Sequence, residues 1–564
     1  MSSHWVRIQR PLFCAALLAI VIAVYSNHFG NGFHFDDWHT VQYNPAIRTL
    51  SNFWRFFSDA ATFSIVPANQ SWRPLVTTSL ALDYVLGGGL KPFWFHISTF
   101  LWFLVQLVLI YGLALHIFER TRPDPNNWRL AWLATALYGL HPACAETVNY
   151  IVQRGDLYVA LGIVACVATY ARAPRLRRYG LYLAPALAGM LAKPPGLIFA
   201  PILVAYILLF DRRQAKSGLP GRREPLASCA IRAIPATVLA LVFVTLEEVM
   251  TPASFVPYHG PALPYLITQP YVALRYFRSF FLPLHLSADT DLRAFDTPWN
   301  GPALAGFAFL ALLIVAIVFA ARTREWRPVA FGLSWFVLGL IPTSMYPLAD
   351  VENDHRMFLP FVGLSIAVVW TAVLLLRRTG HWTRLAAAAV TVAILAAFAW
   401  GTFLRNEVWR TDETLWADVT RKSPNNPRGF MGYGAALLAR GEVDLAYRSY
   451  QRAAMLKPDD ARLESSLGTV AGALCRDTEA ASHFQRAIEL APHDAWSYIG
   501  YGRWLSARGD TALALQVYRN AYEQNAFTLL SSYGMMDALA RQSEWEGLRG
   551  VVNDLLNLAP GDSM

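Results

Sequence analysis

Charge is scarce in this sequence, and scarcest where a soluble protein would need it. Asp, Glu, Lys and Arg make up 15% of the 564 residues and hydrophobic residues 55%, against about 25% charged in a typical soluble domain. A wholly soluble fold is thereby excluded. The shortage is uneven: residues 1–404 hold 31 Lys+Arg and 19 Asp+Glu, whereas residues 405–564 hold 17 and 20. A basic excess confined to the apolar part speaks for the positive bias of cytoplasmic loops and against nucleic acid as a partner. Cysteine is rare too, with five residues in no CxxC pair and no regular spacing, which excludes a zinc site or a disulfide framework of the usual kind. No cluster has metal-motif spacing. Arg7 and Arg10 precede an apolar run from Pro11 to Tyr25, but no small-residue cleavage site follows, so the run reads as a retained first helix. The apolar part also lacks the internal symmetry expected of transporters built from inverted repeats.

Long hydrophobic runs fill the first two thirds. A spanning helix needs about 20 mostly apolar residues, and eleven candidates are found, near 12–28, 95–117, 130–148, 155–172, 180–192, 196–210, 232–250, 302–320, 328–346, 358–376 and 384–403. Arginine clusters fall between alternate runs: Arg120/Arg122/Arg129, Arg172/Arg175/Arg177/Arg178, Arg212/Arg213 through Arg232, Arg322/Arg324/Arg327 and Arg377/Arg378/Arg384. All share a side with Arg7 and Arg10 if 180–192 and 196–210 form a hairpin with Lys193-Pro194-Pro195 at its tip. The stretch from Tyr265 to His285, which carries Arg275 and Arg278, then lies in the interface as an amphipathic segment. Odd parity puts the N-terminus in the cytoplasm and the last third outside it.

That last third is periodic. Pro424, Pro458 and Pro492 lie 34 residues apart, with Pro560 a further 68 along. The same offset joins Gly434, Gly468 and Gly502; Ala446, Ala480 and Ala514; Tyr450, Phe484 and Tyr518; and Ala453, Ala487 and Ala521. Such columns resemble the tetratricopeptide repeat (TPR), whose concave face binds a peptide or partner protein. The fold class is therefore all-α: a polytopic membrane domain over 1–404 and a TPR-like solenoid of about four repeats over 405–564.

Ionisable residues near hydrocarbon are expensive and are kept mainly for function. On the non-cytoplasmic side the reading gathers Asp36, Asp37 and Arg73 in the first loop, and His141, Glu146, Arg154 and Asp156 in the second. Lys193 follows in the third, then Arg275 and Arg278, and finally Glu352, His355 and Arg356. Carboxylates among cations suit a reaction in which an acid group removes a proton while cations stabilise an anionic leaving group such as a phosphate. Adjacent aspartates after a helix also occur as plain solvated loops or caps. His141 before Pro142 also fits a helix-end histidine bonded to backbone.

Taken in order, FDDWHTVQYNPAIR, SWRPL, HPACAETVNYIVQRGDL, LAKPPG, RYFRSFFLPLHLSADTDL, ENDHRMFLPFVG and RNEVWRTDETLW, followed by the repeats, resemble the transmembrane-and-TPR (TMTC) protein O-mannosyltransferases and their bacterial relatives. The resemblance implies a GT-C glycosyltransferase that moves a sugar, mannose or another hexose, from a polyprenyl monophosphate to an acceptor hydroxyl outside the cytoplasm. An acidic residue of the first outer loop acts as base in such enzymes. It implies Asp36 or Asp37 as the catalytic residue. Arg154, Lys193, Arg356, Arg275 and Arg278 would hold the donor phosphate, and Arg73, His141, Glu146, Asp156, Glu352 and His355 the sugar or acceptor. No cofactor beyond the lipid-linked sugar is implied; a divalent ion, which Asp36, Asp37, Glu146 and Glu352 could in principle gather, is not favoured, and the partners are that donor, membrane lipids and a protein acceptor on the repeats. The many Arg and Ala residues suggest a bacterial inner membrane. A lipid-linked-sugar flippase and a non-enzymatic assembly platform are the alternatives.

Overall fold

A computed structural model describes residues 3–211, 226–256, 260–523 and 529–558, and every regular element among them is helical. The chain divides into two compact units, one of residues 1–288 and 292–410, the other of residues 289–291 and 411–564. The division falls later than residue 404 because the last helix of the first unit runs on to Val408.

The first unit contains α1 (Ser3–Val24), α2 (Phe53–Ser58), α3 (Pro74–Gly87), α4 (Pro92–Thr121), α5 (Asn127–Gly139), α6 (Cys144–Asn149), α7 (Arg154–Arg172) and α8 (Pro174–Arg178). It continues with α9 (Leu183–Ala192), α10 (Phe199–Tyr206), α11 (Leu226–Met250), α12 (Ala262–Phe281), α13 (Gly301–Arg322), α14 (Arg327–Met345), α15 (Phe358–Leu376) and α16 (His381–Val408). Nine helical stretches among the described residues are long and apolar enough to cross a membrane, which makes the chain a multi-pass membrane protein. Two of the eleven expected passes are shorter. The run near 130–148 breaks at His141-Pro142 into α5 and the one-and-a-half-turn α6, since proline supplies no amide hydrogen to continue the ladder. The run near 180–192 is α9, ten residues long. After α9 the extended Lys193 turns the chain into a second helical stretch, Pro194–Asp211. The expected amphipathic segment is α12, which buries Tyr265, Gln269, Val272, Tyr276 and Phe280 along one stripe and exposes Leu263, Arg278 and Phe281.

Glycine lets several of these helices touch backbone to backbone, as small residues do between membrane helices. A Cβ on Gly162 of α7 would stand 2.5 Å from the Pro185 carbonyl of α9, and one on Gly332 of α14 would stand 2.3 Å from the Gly363 carbonyl of α15.

Arginines from three helices, α4, α8 and α11, meet at one carboxylate. Asp211 lies 3.2 Å from Arg177 and 3.8 Å from both Arg120 and Arg232, and accepts from the Tyr170 hydroxyl. Arg212 and Arg213 lie outside the described residues. Asp156 sits at the other end of α7, and 19 residues at about 1.5 Å each separate the two ends by about 28 Å, close to the thickness of a bilayer core.

The second unit is nine helices in succession: α17 (Asp412–Lys422), α18 (Pro427–Ala439), α19 (Val443–Leu456), α20 (Ala461–Ala473), α21 (Asp477–Leu490), α22 (Ala495–Arg508), α23 (Thr511–Glu523), α24 (Leu529–Arg541) and α25 (Trp545–Leu558). The periodic columns explain one another. A Cβ on Gly434, Gly468 or Gly502 would strike the ring of Tyr450, Phe484 or Tyr518 respectively, at 3.0 Å or less. Ala446, Ala480 and Ala514, like Ala453, Ala487 and Ala521, are fully buried where helices cross. Pro560 lies outside the described residues. Asp289–Asp291 belong to this unit through an Arg428–Asp289 ion pair of 2.5 Å and a hydrogen bond from Asn426 to the Thr290 carbonyl.

Candidate active site

The first loop turns sharply at Phe35, whose φ of 47° lies in the left-handed region that a side chain of this size rarely adopts. Such a conformation costs about 1–3 kcal/mol and persists only where its surroundings over-determine it. They do so here. The Phe35 ring packs on Tyr150 and Trp409, and His34 Nε2 contacts the Trp409 carbonyl at 2.7 Å. The Asp37 carboxylate then pins the turn, accepting from the amides of His34 (3.0 Å) and Val152 (2.9 Å).

The turn gives the two aspartates different environments. Asp37 is fully buried, and burial pushes its carboxyl up to about 7 against the two amide donors. Asp36 keeps 58% of its side-chain surface open. Surrounding protein would by itself raise this carboxyl, but hydrogen bonds from His39 and Tyr150 and the nearby Arg73 charge outweigh that effect and hold it below the usual carboxylate range. Tyr150 serves the turn twice, since its hydroxyl also accepts from the Asp36 amide at 2.9 Å.

Three cations from separate segments gather near one another, Arg73 among them beside Asp36. Arg73, just before α3, lies over the Phe63 ring and close enough to Asp36 and Asp156 for their charges to act on it, and its buried Nε has no hydrogen-bond partner. Lys193 donates to Asp156 (2.8 Å) and Gln153 (2.9 Å), and feels the charges of Arg73 and Arg356. Burial draws its pKa below the ordinary lysine range, with Asp156 opposing. Arg356 is held by the backbone carbonyls of Asp350 and Val351. Among the described residues neither Arg73 nor Arg356 has a carboxylate within ion-pair distance, which is unusual for buried cations.

Next to this cluster Glu146 Oε1 stands 2.9 Å from His355 Nδ1, while its other oxygen is buried without a partner. Burial, and after it the negative charge of Asp354, raise the Glu146 carboxyl well above its ordinary value. Arg275 is matched by Glu352 at 2.8 Å. No group of three or more His, Cys, Asp or Glu suited to a metal ion is found among the described residues.

Three expected contacts are corrected. Arg154 does not face the cluster: it is fully buried, paired with Asp83 at 2.5 Å, and donates also to the carbonyls of Phe95 and Ile151, so its charge and donors are already used. His141 is a core histidine, in contact with the Phe280 carbonyl at 3.1 Å, accepting from the Ala143 amide, and enclosed by Phe280, Phe361 and Phe398. Its burial lowers the imidazole pKa to about 4. Arg278 is exposed and shares no ion pair or hydrogen bond with the cluster. Sequence reasoning overlooked Tyr150 and Asp83. A lone acid in the apolar run of α3 was the available signal for Asp83, because such a charge needs a buried partner.

No family model matches the chain. The protein O-mannosyl-transferase Tmtc3 of Drosophila melanogaster is 24% identical over 559 residues, covering 86% of this chain and 59% of that protein. Along most of its length the chain is similar to the TMTC protein O-mannosyl-transferases. The human protein O-mannosyl-transferase TMTC1 is 25% identical over 535 residues, covering 83% of this chain and 57% of the human protein. The chain thus spans about three-fifths of the length of these curated relatives. Among solved structures, MamA covers 26% of the chain at 21% identity and a TM-score of 0.21, with 82% of its own chain matched. Yeast Tom70 covers 79% at 11% identity and a TM-score of 0.25, with 85% matched. Those two likenesses are too weak to bear on fold or function.

Proposed function

We propose that this chain is a membrane glycosyltransferase that transfers a hexose, mannose in the first instance, from a polyprenyl monophosphate to a Ser or Thr hydroxyl of a protein on the extracytoplasmic face. One observation carries the reading: Asp36 is an open, ionised carboxylate standing beside Arg73, a cation that has no carboxylate within ion-pair distance among the described residues. The names of the relatives support protein as acceptor and mannose as sugar.

The acceptor hydroxyl gives its proton to Asp36 as its oxygen attacks the anomeric carbon from the face opposite the phosphate. The bond from that carbon to the phosphate oxygen breaks with its electron pair, and the sugar is inverted. Arg73, Lys193 and Arg356 neutralise the charge that builds on the departing polyprenyl phosphate. Arg73, expected from the sequence to face the sugar, thus joins the phosphate group. Glu146, with His355 beside it, offers its unpartnered oxygen to a sugar hydroxyl; a buried polar atom left unmatched costs about 1–3 kcal/mol until a ligand fills the position. Asp37 is a positioning residue. The reading needs no cofactor, and the repeats of the second unit bind the acceptor polypeptide.

The test reconstitutes the purified chain in liposomes with radiolabelled polyprenyl-phosphate-mannose and an extract of secreted proteins. Label should move to protein, and Asp36→Asn should abolish the transfer while the chain stays folded. Transport of the labelled lipid without transfer would favour a flippase instead, and neither event would favour an assembly platform.

A further inference from the structure

Four arginines and one carboxylate gather at the end of α7 opposite Asp156. Gly112, His116 and Arg120 recur every four residues along one stripe of α4. The missing side chain at Gly112 leaves room for the guanidinium of Arg172, in the last turn of α7, which a Cβ there would strike. Arg120 and Arg172 both lie close enough to His116 for their charges to act on it, and His116 Nε2 contacts the Tyr206 hydroxyl at 3.0 Å. Arg177 lies over the Tyr170 ring and reaches Asp211 at 3.2 Å. Arg120 donates from Nε to the Phe210 carbonyl at 2.8 Å and stands 3.8 Å from Asp211, as does Arg232. Arg120, Arg172 and Asp211 lie at the ends of three spanning stretches, and Arg232 in the second turn of a fourth. That is the depth of lipid headgroups.

The charges here do not balance. Among the described residues Asp211 is the only carboxylate within ion-pair distance of Arg120 or Arg177, it is shared with Arg232, and Arg172 has none. The cations are also within reach of a ligand: Arg172 is exposed, and Arg120 and Arg177 keep 46% and 27% of their side-chain surface open. Like charges held together beside hydrocarbon are costly. A phosphate offsets that cost, because its oxygens accept paired hydrogen bonds from guanidinium groups. Exposed apolar side chains adjoin the arginines and Asp211 along the chain, with Leu176 next to Arg177, Leu208 three residues before Asp211, and Ile231 and Ile234 flanking Arg232. Acyl chains would cover such surface, whereas a soluble phosphate would leave it bare. We propose that this cluster binds the phosphate of an anionic phospholipid headgroup at the end of the helices opposite Asp156. The site is independent of the chemistry at Asp36.

The experiment titrates the full chain, in detergent and about 0.15 M ammonium acetate, with phosphatidylglycerol, phosphatidylcholine and inorganic phosphate, and counts bound molecules by native mass spectrometry. Phosphatidylglycerol should bind at least about tenfold more tightly than phosphatidylcholine, since each arginine at a lipid surface is worth about a factor of five. Arg172→Gln strands no carboxylate and should weaken the tightest phosphatidylglycerol event about fivefold; adding Arg177→Gln should bring the loss to about 25-fold. Arg378→Gln changes an exposed arginine of another basic loop on the same side and should leave that event unchanged. Equal affinity for the two lipids would overturn the site, as would an equal loss in Arg378→Gln, which would mark a diffuse positive surface. Displacement of the lipid by inorganic phosphate at equal concentration would overturn the lipid as occupant and assign the arginines to a soluble phosphate. If the doubly substituted chain does not fold, Arg172→Gln set against Arg378→Gln decides.

Discussion

Asp36 and Asp37 are neighbours whose replacement should have opposite consequences. Asp36 is open to solvent, so Asp36→Asn should leave the melting temperature within about 1 °C of wild type while cutting transfer by at least about 100-fold. Asp37→Asn should act on stability instead. Folding raises the Asp37 carboxyl to about 7, chiefly by burying it, so its contribution to stability is fully present below the unfolded value and is lost as pH climbs through 7. Asparagine does not titrate. The deficit in melting temperature of Asp37→Asn relative to wild type should therefore be largest near pH 5 and smallest near pH 8; a deficit that stayed constant over that range would mean that Asp37 is ionised throughout. Arg154 offers a third contrast. Removing it as Arg154→Met strands the buried Asp83, at a cost of about 3–5 kcal/mol, and the double variant Arg154→Met, Asp83→Asn should recover most of the loss with donor KM near that of wild type. A donor KM raised in the double variant as much as in the single one would restore Arg154 to the phosphate.

Among the elements, glycine is decisive in the repeats. Gly468 faces the ring of Phe484, and a Cβ there would stand 3.0 Å from it. Gly468→Ala should destabilise the second unit by about 1–3 kcal/mol through overpacking. Gly550, within α25, has nothing within 4 Å of a built Cβ, so Gly550→Ala should stabilise by about 0.5–1 kcal/mol as helix propensity alone dictates. Thermal unfolding of the full chain with each substitution measures both signs. Had the two changes the same sign, the Gly column would reflect propensity and not packing. The strained Phe35 turn works in the same manner on a smaller scale: Tyr150, Trp409 and the Asp37 lock come from distant parts of the chain to hold one backbone angle.

At the scale of the whole molecule, the proposed orientation has a reporter of its own. Cys475 in the second unit is exposed, whereas Cys144, Cys166 and Cys229 are buried. A membrane-impermeant maleimide applied to intact spheroplasts should label Cys475 in the wild-type chain and not in Cys475→Ser; labelling that required lysis would put the repeats in the cytoplasm. Much of this molecule was legible beforehand, because hydrophobic runs, basic loops and a 34-residue period are local patterns written along the chain. Burial in lipid and packing between neighbouring helices read those patterns directly. The short α5 and α6 were harder to read, since a break at His141-Pro142 interrupts a run that hydrophobicity alone continues. The site was legible only as a list of charges. Sequence by itself determined that carboxylates and cations share one side of the helices; the tertiary structure decided which of them remain available. Arg154 lost its role to Asp83, Asp37 to two backbone amides and His141 to an aromatic cage, while Asp36 kept most of its side chain open and Arg73 has no carboxylate within ion-pair distance among the described residues. Those outcomes depend on partners 70 or more residues away in several cases, and only closing the chain brings such groups within the few ångströms over which hydrogen bonds and ion pairs act.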